Sequence, residues 1–281
     1  FFPGGYYLQY AHYVGGGGNC GGGAWRCDTV DSSTLQQTGL YPSLDLNSAN
    51  QARIAYYDAF NGNLRYAWAG ASGGNCGPSN TWQCDTIDGN EGANPNVGLY
   101  PSLRIDKVLN SPKIAYYDKT NGKLKFAEIP SNNADFPCGP LLLGIQYWRC
   151  VNIDNMGANL LYTDVSLALD AAGYPIIAYQ DASVDLAPAK LKVVRPAPAV
   201  GMPLGIGNCG APPPGGIFNW WQCETLDNGG AHSSVADYVA VGVSPSGLAM
   251  VAYSDYDDYY DEFDLKVAYQ RLQVFLPLII R

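Results

Sequence analysis

Three observations predict an all-β fold, a β-propeller of four or five four-stranded blades stapled by disulfides. A phrase of four short strands recurs four times along the chain. Tight-turn residues separate its alternating apolar runs, and no stretch sustains a helical period. Each copy also carries two cysteines at equivalent places.

The second copy is the clearest. Residues 81–88 (TWQCDTID), 100–106, 113–118 and 122–128 each alternate apolar and polar side chains. Asn121-Gly122 can take the positive φ of a tight hairpin turn. In chain order the four strands are d, a, b and c. The first copy reads WRCDTVD (25–31), YPSLDL (41–46), RIAYYD (53–58) and NGNLRYA (61–67). The third reads WRCVNID (148–154), DVSLALD (164–170), PIIAYQD (175–181) and AKLKVV (189–194). The fourth reads WQCETLD (221–227), YVAVGVS (238–244), AMVAYSD (249–255) and FDLKVAY (263–269). The repeats cover approximately 20–70, 76–129, 138–195 and 209–270, and a single propeller domain is expected over 1–271. A four-strand sheet cannot bury both faces alone, so copies must stack.

One c-like strand is in surplus: YYLQYAHY at 6–13. It belongs to a fifth blade, or to an edge of a four-bladed ring, or to a pairing with another subunit. An unpaired apolar strand is an open template for edge pairing.

Composition narrows the function. The chain has 281 residues, 47% of them hydrophobic, which suffices for a sizeable core. The formal net charge of −9 disfavours nucleic acid and anionic lipid surfaces as partners. Leu272–Ile280 is too short for a transmembrane helix and contains Pro277.

The cysteines are expected to pair locally, as Cys20/Cys27, Cys76/Cys84, Cys138/Cys150 and Cys209/Cys223. A zinc site would want tighter spacing and more histidine than His12 and His232 supply. Each short loop closed this way contributes about 2–3 kcal/mol by the chain-entropy estimate. Disulfides imply an oxidising compartment, so an extracellular or cell-surface location is expected, with a signal peptide that this chain does not carry.

The motifs S-L-x-[LI]-D, I-A-Y-Y-D, N-G-x-L-[RK]-[YF]-A and W-x-C-[DE]-T-[VIL]-D resemble the repeat of secreted bacterial β-propellers over residues 6–270. The resemblance implies the architecture and no activity, because propellers host enzymes, lectins and scaffolds alike. The copies lack the S-x-D-x-G-x-T-W box of sialidase-type propellers, and the cysteine pair is an addition to the plain repeat.

Candidate sites are few. No HExxH or phosphate loop occurs, and a non-enzymatic protein is expected. The acids closing strand b (Asp58, Asp118, Asp181, Asp255) and strand d (Asp31, Asp88, Asp154, Asp227) read as turn caps. The run at 255–264 offers Asp255, Asp257, Asp258 and Asp261 as calcium ligands; no cofactor is otherwise required. Trp68 and Trp220 stand outside the repeat and are the better candidates for a ligand platform. Both chain ends are apolar, which nominates Tyr6, Tyr7, Leu8 and Tyr10 at the start as assembly residues. Val274, Phe275, Leu276, Leu278 and Ile279 in the tail at 272–281 are nominated with them. The expectation is a structural subunit that associates with itself, into a filament or coat. The alternative is a carbohydrate-binding propeller that recognises extracellular glycans.

Overall fold

The structure is a computed structural model. It describes residues 6–32, 37–70, 73–89, 95–130, 136–142, 145–158, 163–183, 188–197, 207–210, 220–230, 233–257 and 260–270. Among them there is no α-helix, and four blades are arranged as a β-propeller. No helix is long and apolar enough to cross a membrane.

The chain opens with a two-stranded ribbon, β1 (Leu8–Tyr13) and β2 (Trp25–Asp31). Blade one holds β3 (Thr38–Leu46), β4 (Ala52–Asp58), β5 (Asn63–Ala69) and β6 (Trp82–Asp88) in sequence order. Blade two starts with β7 (Val97–Asp106), β8 (Ser111–Asp118) and β9 (Lys123–Glu128). Its next strand is β11 (Ile145–Asn155), and β10 (Pro137–Leu142) lies outside that. Blade three is β12 (Val165–Leu169), β13 (Pro175–Asp181), β14 (Lys190–Pro196) and β15 (Trp221–Asp227). Blade four has three described strands, β16 (Ser233–Val243), β17 (Ala249–Asp257) and β18 (Glu262–Tyr269). Every pairing is antiparallel.

The sheets cut across the sequence repeat. Each d strand turns back through its cysteine loop to pair with the c strand before it, as β6 does with β5. The surplus strand does the same: β1 pairs with β2 within the chain.

Each interface between sheets has its own apolar cluster. Leu8 and Val30 of the ribbon pack on Ile54, Tyr56 and Trp82 of blade one. Leu64 and Tyr66 meet Leu103, Ile105 and Trp148 at the next interface. Phe126 meets Leu167, Tyr179 and Trp221 at the third, and Leu191 meets Val235, Val241 and Tyr253 at the fourth. Among the described residues no cluster joins blade four to the ribbon. The a strands come this close because of glycine. At Gly98 (φ 104°) a Cβ would lie 2.5 Å from Leu64 Cα, so only glycine lets β7 lie on β5. Gly39 repeats the device over Leu8.

Candidate functional site

Each boundary between sheets is tied by the same three side chains. The Tyr56 hydroxyl donates to Asp31 and the Tyr116 hydroxyl to Asp88, both at 2.6 Å. Tyr179 donates to Asp154, and Tyr253 to Asp227 at 2.8 Å. A cation from the adjoining c strand completes the group. Arg65 Nη1 lies 2.9 Å from Asp31, Lys125 pairs with Asp88, and Lys192 pairs with Asp154. Lys266 pairs with Asp255 and lies 3.9 Å from Asp227. The d-strand acids therefore join sheets, a role visible only once the sheets stack; Asp88 and Asp227 also cap, accepting the Gly89 and Gly229 N–H groups with their other oxygen. The b-strand acids do cap: Asp118 Oδ1 accepts the Asn121 N–H, and Asp181 Oδ1 the Ser183 N–H.

The electrostatics follow from burial. Desolvation, with Asp88 close by, holds the Tyr116 hydroxyl well above its ordinary pKa, and Tyr56 and Tyr179 behave alike. Burial pushes the Asp181 carboxyl up, yet hydrogen bonds from Ser183 and the charge of Lys192 outweigh it and leave the group below its ordinary range. Asp255 is lowered in the same way, its desolvation outweighed by Lys266 and Ser233.

The four disulfides form as expected, Cys20–Cys27, Cys76–Cys84, Cys138–Cys150 and Cys209–Cys223, with Cα–Cα separations between 5.8 and 6.0 Å. A signal beside them escaped the sequence reading. Asn19, Asn75 and Asn208 precede the first cysteine of their pairs, and each side chain bonds both backbone groups of the second cysteine. The amide thus imitates a strand residue. Pro137 stands at that place in the third copy, and there the backbone itself pairs, as β10 with β11.

Among the described residues, side chains at both ends of the series of sheets are exposed where their internal equivalents are buried. Trp82, Trp148 and Trp221 are buried, whereas their equivalent Trp25 is 43% exposed, with no described sheet packed on it from before the ribbon. Leu103 of β7 is fully buried against blade one, while its equivalent Leu44 of β3 is 51% exposed. At the other end Leu265 of β18 is 79% exposed, although its equivalents Leu64, Leu124 and Leu191 are fully buried. Phe263 and Val267 are exposed beside it. A polar ladder along the a strands stops at the same place. Ser43 Oγ accepts the Leu103 N–H, Ser102 Oγ the Leu167 N–H and Ser166 Oγ the Val241 N–H. In β16 the equivalent residue is Ala240, which has no hydroxyl to offer.

The nominated assembly residues divide. Tyr6 and Tyr7 are exposed. Leu8 is buried under Gly39, and Tyr10 packs edge-on against Trp82 at 5.3 Å, so both serve the chain's own interior. Val274, Phe275, Leu276, Leu278 and Ile279 lie outside the described residues. Trp68 and Trp220 are partly buried, each with one ring face under a guanidinium, from Arg53 at 5.8 Å and Arg149 at 5.2 Å. Among the described residues the calcium candidates do not converge, and Asp257 accepts the Tyr260 N–H. Asp255 is engaged by Lys266 and Ser233, Asp261 accepts the Tyr256 hydroxyl, and Asp258 lies outside the described residues. Among the described residues no three acidic, histidine or cysteine side chains could hold a metal.

A cleft at the centre of the a strands is lined by Tyr41, Ser43, Tyr100, Ser102, Arg104 and Asp164. Tyr41 and Tyr100 both take positive φ (51° and 50°), and their rings lie 4.4 Å apart. Burial pushes the Asp164 carboxyl above its ordinary range, against hydrogen bonds from the Val239 and Val165 N–H groups. No protein-family model matches this chain, and no curated protein matches it.

Proposed function

We propose that the protein is a non-enzymatic structural subunit of the cell surface or extracellular space that associates end to end with itself. One observation carries the reading: among the described residues, each end of the blade series shows an apolar face that is buried at every internal boundary. Leu44 and Trp25 stand on one end, Leu265 and Val267 on the other. Large exposed apolar patches of this kind mark interaction surfaces. The four disulfides fit an oxidising compartment and support the extracellular placement.

Light scattering and negative-stain microscopy of unreduced protein test it. Concentration-dependent polymers are expected. A compact monomer at all concentrations overturns the reading.

The axial cleft favours a second reading, a carbohydrate-binding propeller. It sets two tyrosines in contact beside serine hydroxyls, Arg104 and Asp164, the mixture of aromatic and polar groups that a sugar ring uses. A glycan array supports this reading if hits are lost in Tyr100→Ala, and an array without hits on folded protein sinks it.

A further inference from the structure

We propose that β2 of a second copy completes blade four: it pairs with β18 as that blade's outer strand, and β18 takes the place beside β2 that β1 holds in the single chain. The inference rests on the end-to-end reading and names its contact.

The vacancy has a defined chemistry. In blades one, two and three the strand beside c carries W-x-C with an aspartate four residues after the cysteine: Asp88 in β6, Asp154 in β11 and Asp227 in β15. Among the described residues no strand follows β18 in its sheet. The one strand of this kind not built into a blade is β2, WRCDTVD.

The register is already written. Leu64 faces Asp88 in blade one and Leu191 faces Asp227 in blade three. In the ribbon Leu8 faces Asp31 and Gln9 faces Thr29. By sequence equivalence β18 presents Leu265 to Asp31 and Lys266 to Thr29. It matches β1 residue for residue.

Between the two competitors, charge decides. In blades one, three and four the c strand places a cation between the acid of its own b strand and the acid of the preceding sheet: Arg65, Lys192 and Lys266 each lie within 4 Å of both. The residue at that place in β1 is Gln9, which carries no charge. Lys266 therefore holds β18 to Asp227 and to Asp255 of blade four, whereas Gln9 can form no such ion pair for β1. So β18 keeps its place in the blade and β1 is the strand that leaves. β1 is a placeholder that covers β2 until a neighbour arrives.

The faces agree. Tyr10 meets Trp82, Tyr66 meets Trp148 and Phe126 meets Trp221, each edge-on at 5.3 Å. These pairs join the c strand of one sheet to the outer-strand tryptophan of the next. Seating β2 beside β18 brings the exposed Trp25 to Val193 of β14, the next residue in that series. The same movement carries β3, with exposed Leu44 and Leu46, toward exposed Leu265 and Val267.

The test uses full-length chains. Thr29→Cys and Lys266→Cys correspond to the paired positions Thr86 and Arg65 of blade one. The two single variants are mixed, allowed to assemble and oxidised. A disulfide-linked dimer holding one chain of each kind is expected on non-reducing mass analysis. Replacing Lys266→Cys by Val108→Cys, at an exposed turn, should remove that dimer. A chain carrying both substitutions that links only to itself at high dilution overturns the proposal, since β2 would then close its own ring. Polymers that form without the link overturn the contact and leave the end-to-end reading standing. Absence of both polymer and link removes the two together. A second measurement needs no variant. A synthetic peptide of residues 6–14 should occupy β2 and slow polymerisation of the unmodified protein several-fold, and a peptide without effect counts against the placeholder.

Discussion

The Tyr116 hydroxyl donates to Asp88 across the boundary between blades one and two, and Lys125 closes the group from the neighbouring strand. The same arrangement recurs at Tyr56–Asp31, Tyr179–Asp154 and Tyr253–Asp227. It is the polar counterpart of the apolar clusters that hold the sheets together. Tyr116→Phe removes a donor from a carboxylate that water barely reaches, and should destabilise the protein by about 1–3 kcal/mol in chemical denaturation. Tyr253→Phe should cost less, because the Asp227 side chain is the more exposed of the two acids. Equal losses at both sites would show that the tie does not depend on burial.

These hydroxyls also set the alkaline limit of the fold. Burial and the neighbouring acids keep Tyr56, Tyr116 and Tyr179 protonated well beyond the ordinary range, and push Tyr253 up to about 12. An acid whose folded pKa is raised holds its proton more tightly when folded. Its stabilisation is complete below the unfolded pKa of about 10 and is lost as pH rises toward the folded value. Phenolate absorbance should therefore show these four tyrosines titrating only as the protein unfolds, whereas in denaturant all 21 titrate together. A single native transition near the unfolded value would contradict this.

Gly98→Ala tests the packing of blades. The new Cβ would sit 2.5 Å from Leu64 Cα, at a φ of 104° that other residues rarely adopt. Strain and clash add, and a loss of more than about 2 kcal/mol is expected from denaturant midpoints. Gly247→Ala, also at positive φ but with open space around it, meets only the strain and should cost less.

Replacing Cys76 and Cys84 together by serine opens a crosslink between residues eight apart in sequence. The chain-entropy estimate gives a loss of about 2.5 kcal/mol. The Asn75 side chain still bonds both backbone groups of residue 84, so the hairpin should keep its register. Asn75→Ala added to that variant should then cost more than in the disulfide-bonded protein, which a double-mutant cycle measures.

Much was legible in advance because it is local. Strand periodicity, Asn-Gly turns and cysteine spacing depend on residues a few places apart, so the strands of the repeat and all four disulfides, though not β10, could be read from the chain. The role of Asp88 could not. Its partner Tyr116 is 28 residues away, and the same Asp would cap a turn just as well. Ala240 was equally visible, yet its meaning needed the serine ladder of the a strands, which joins residues 60 or more apart.

The amino-acid sequence by itself therefore determined the repeat, the strands and their local staples, since turns and short loops are closed by neighbours in the chain. Only the tertiary structure decided which sheet each d strand joins, and which copies of an equivalent residue end in the core. Trp25 and Trp82 sit in nearly identical phrases, yet one is 43% exposed and the other 4%. Burial belongs to the neighbouring sheet, and among the described residues Trp25 has no such neighbour.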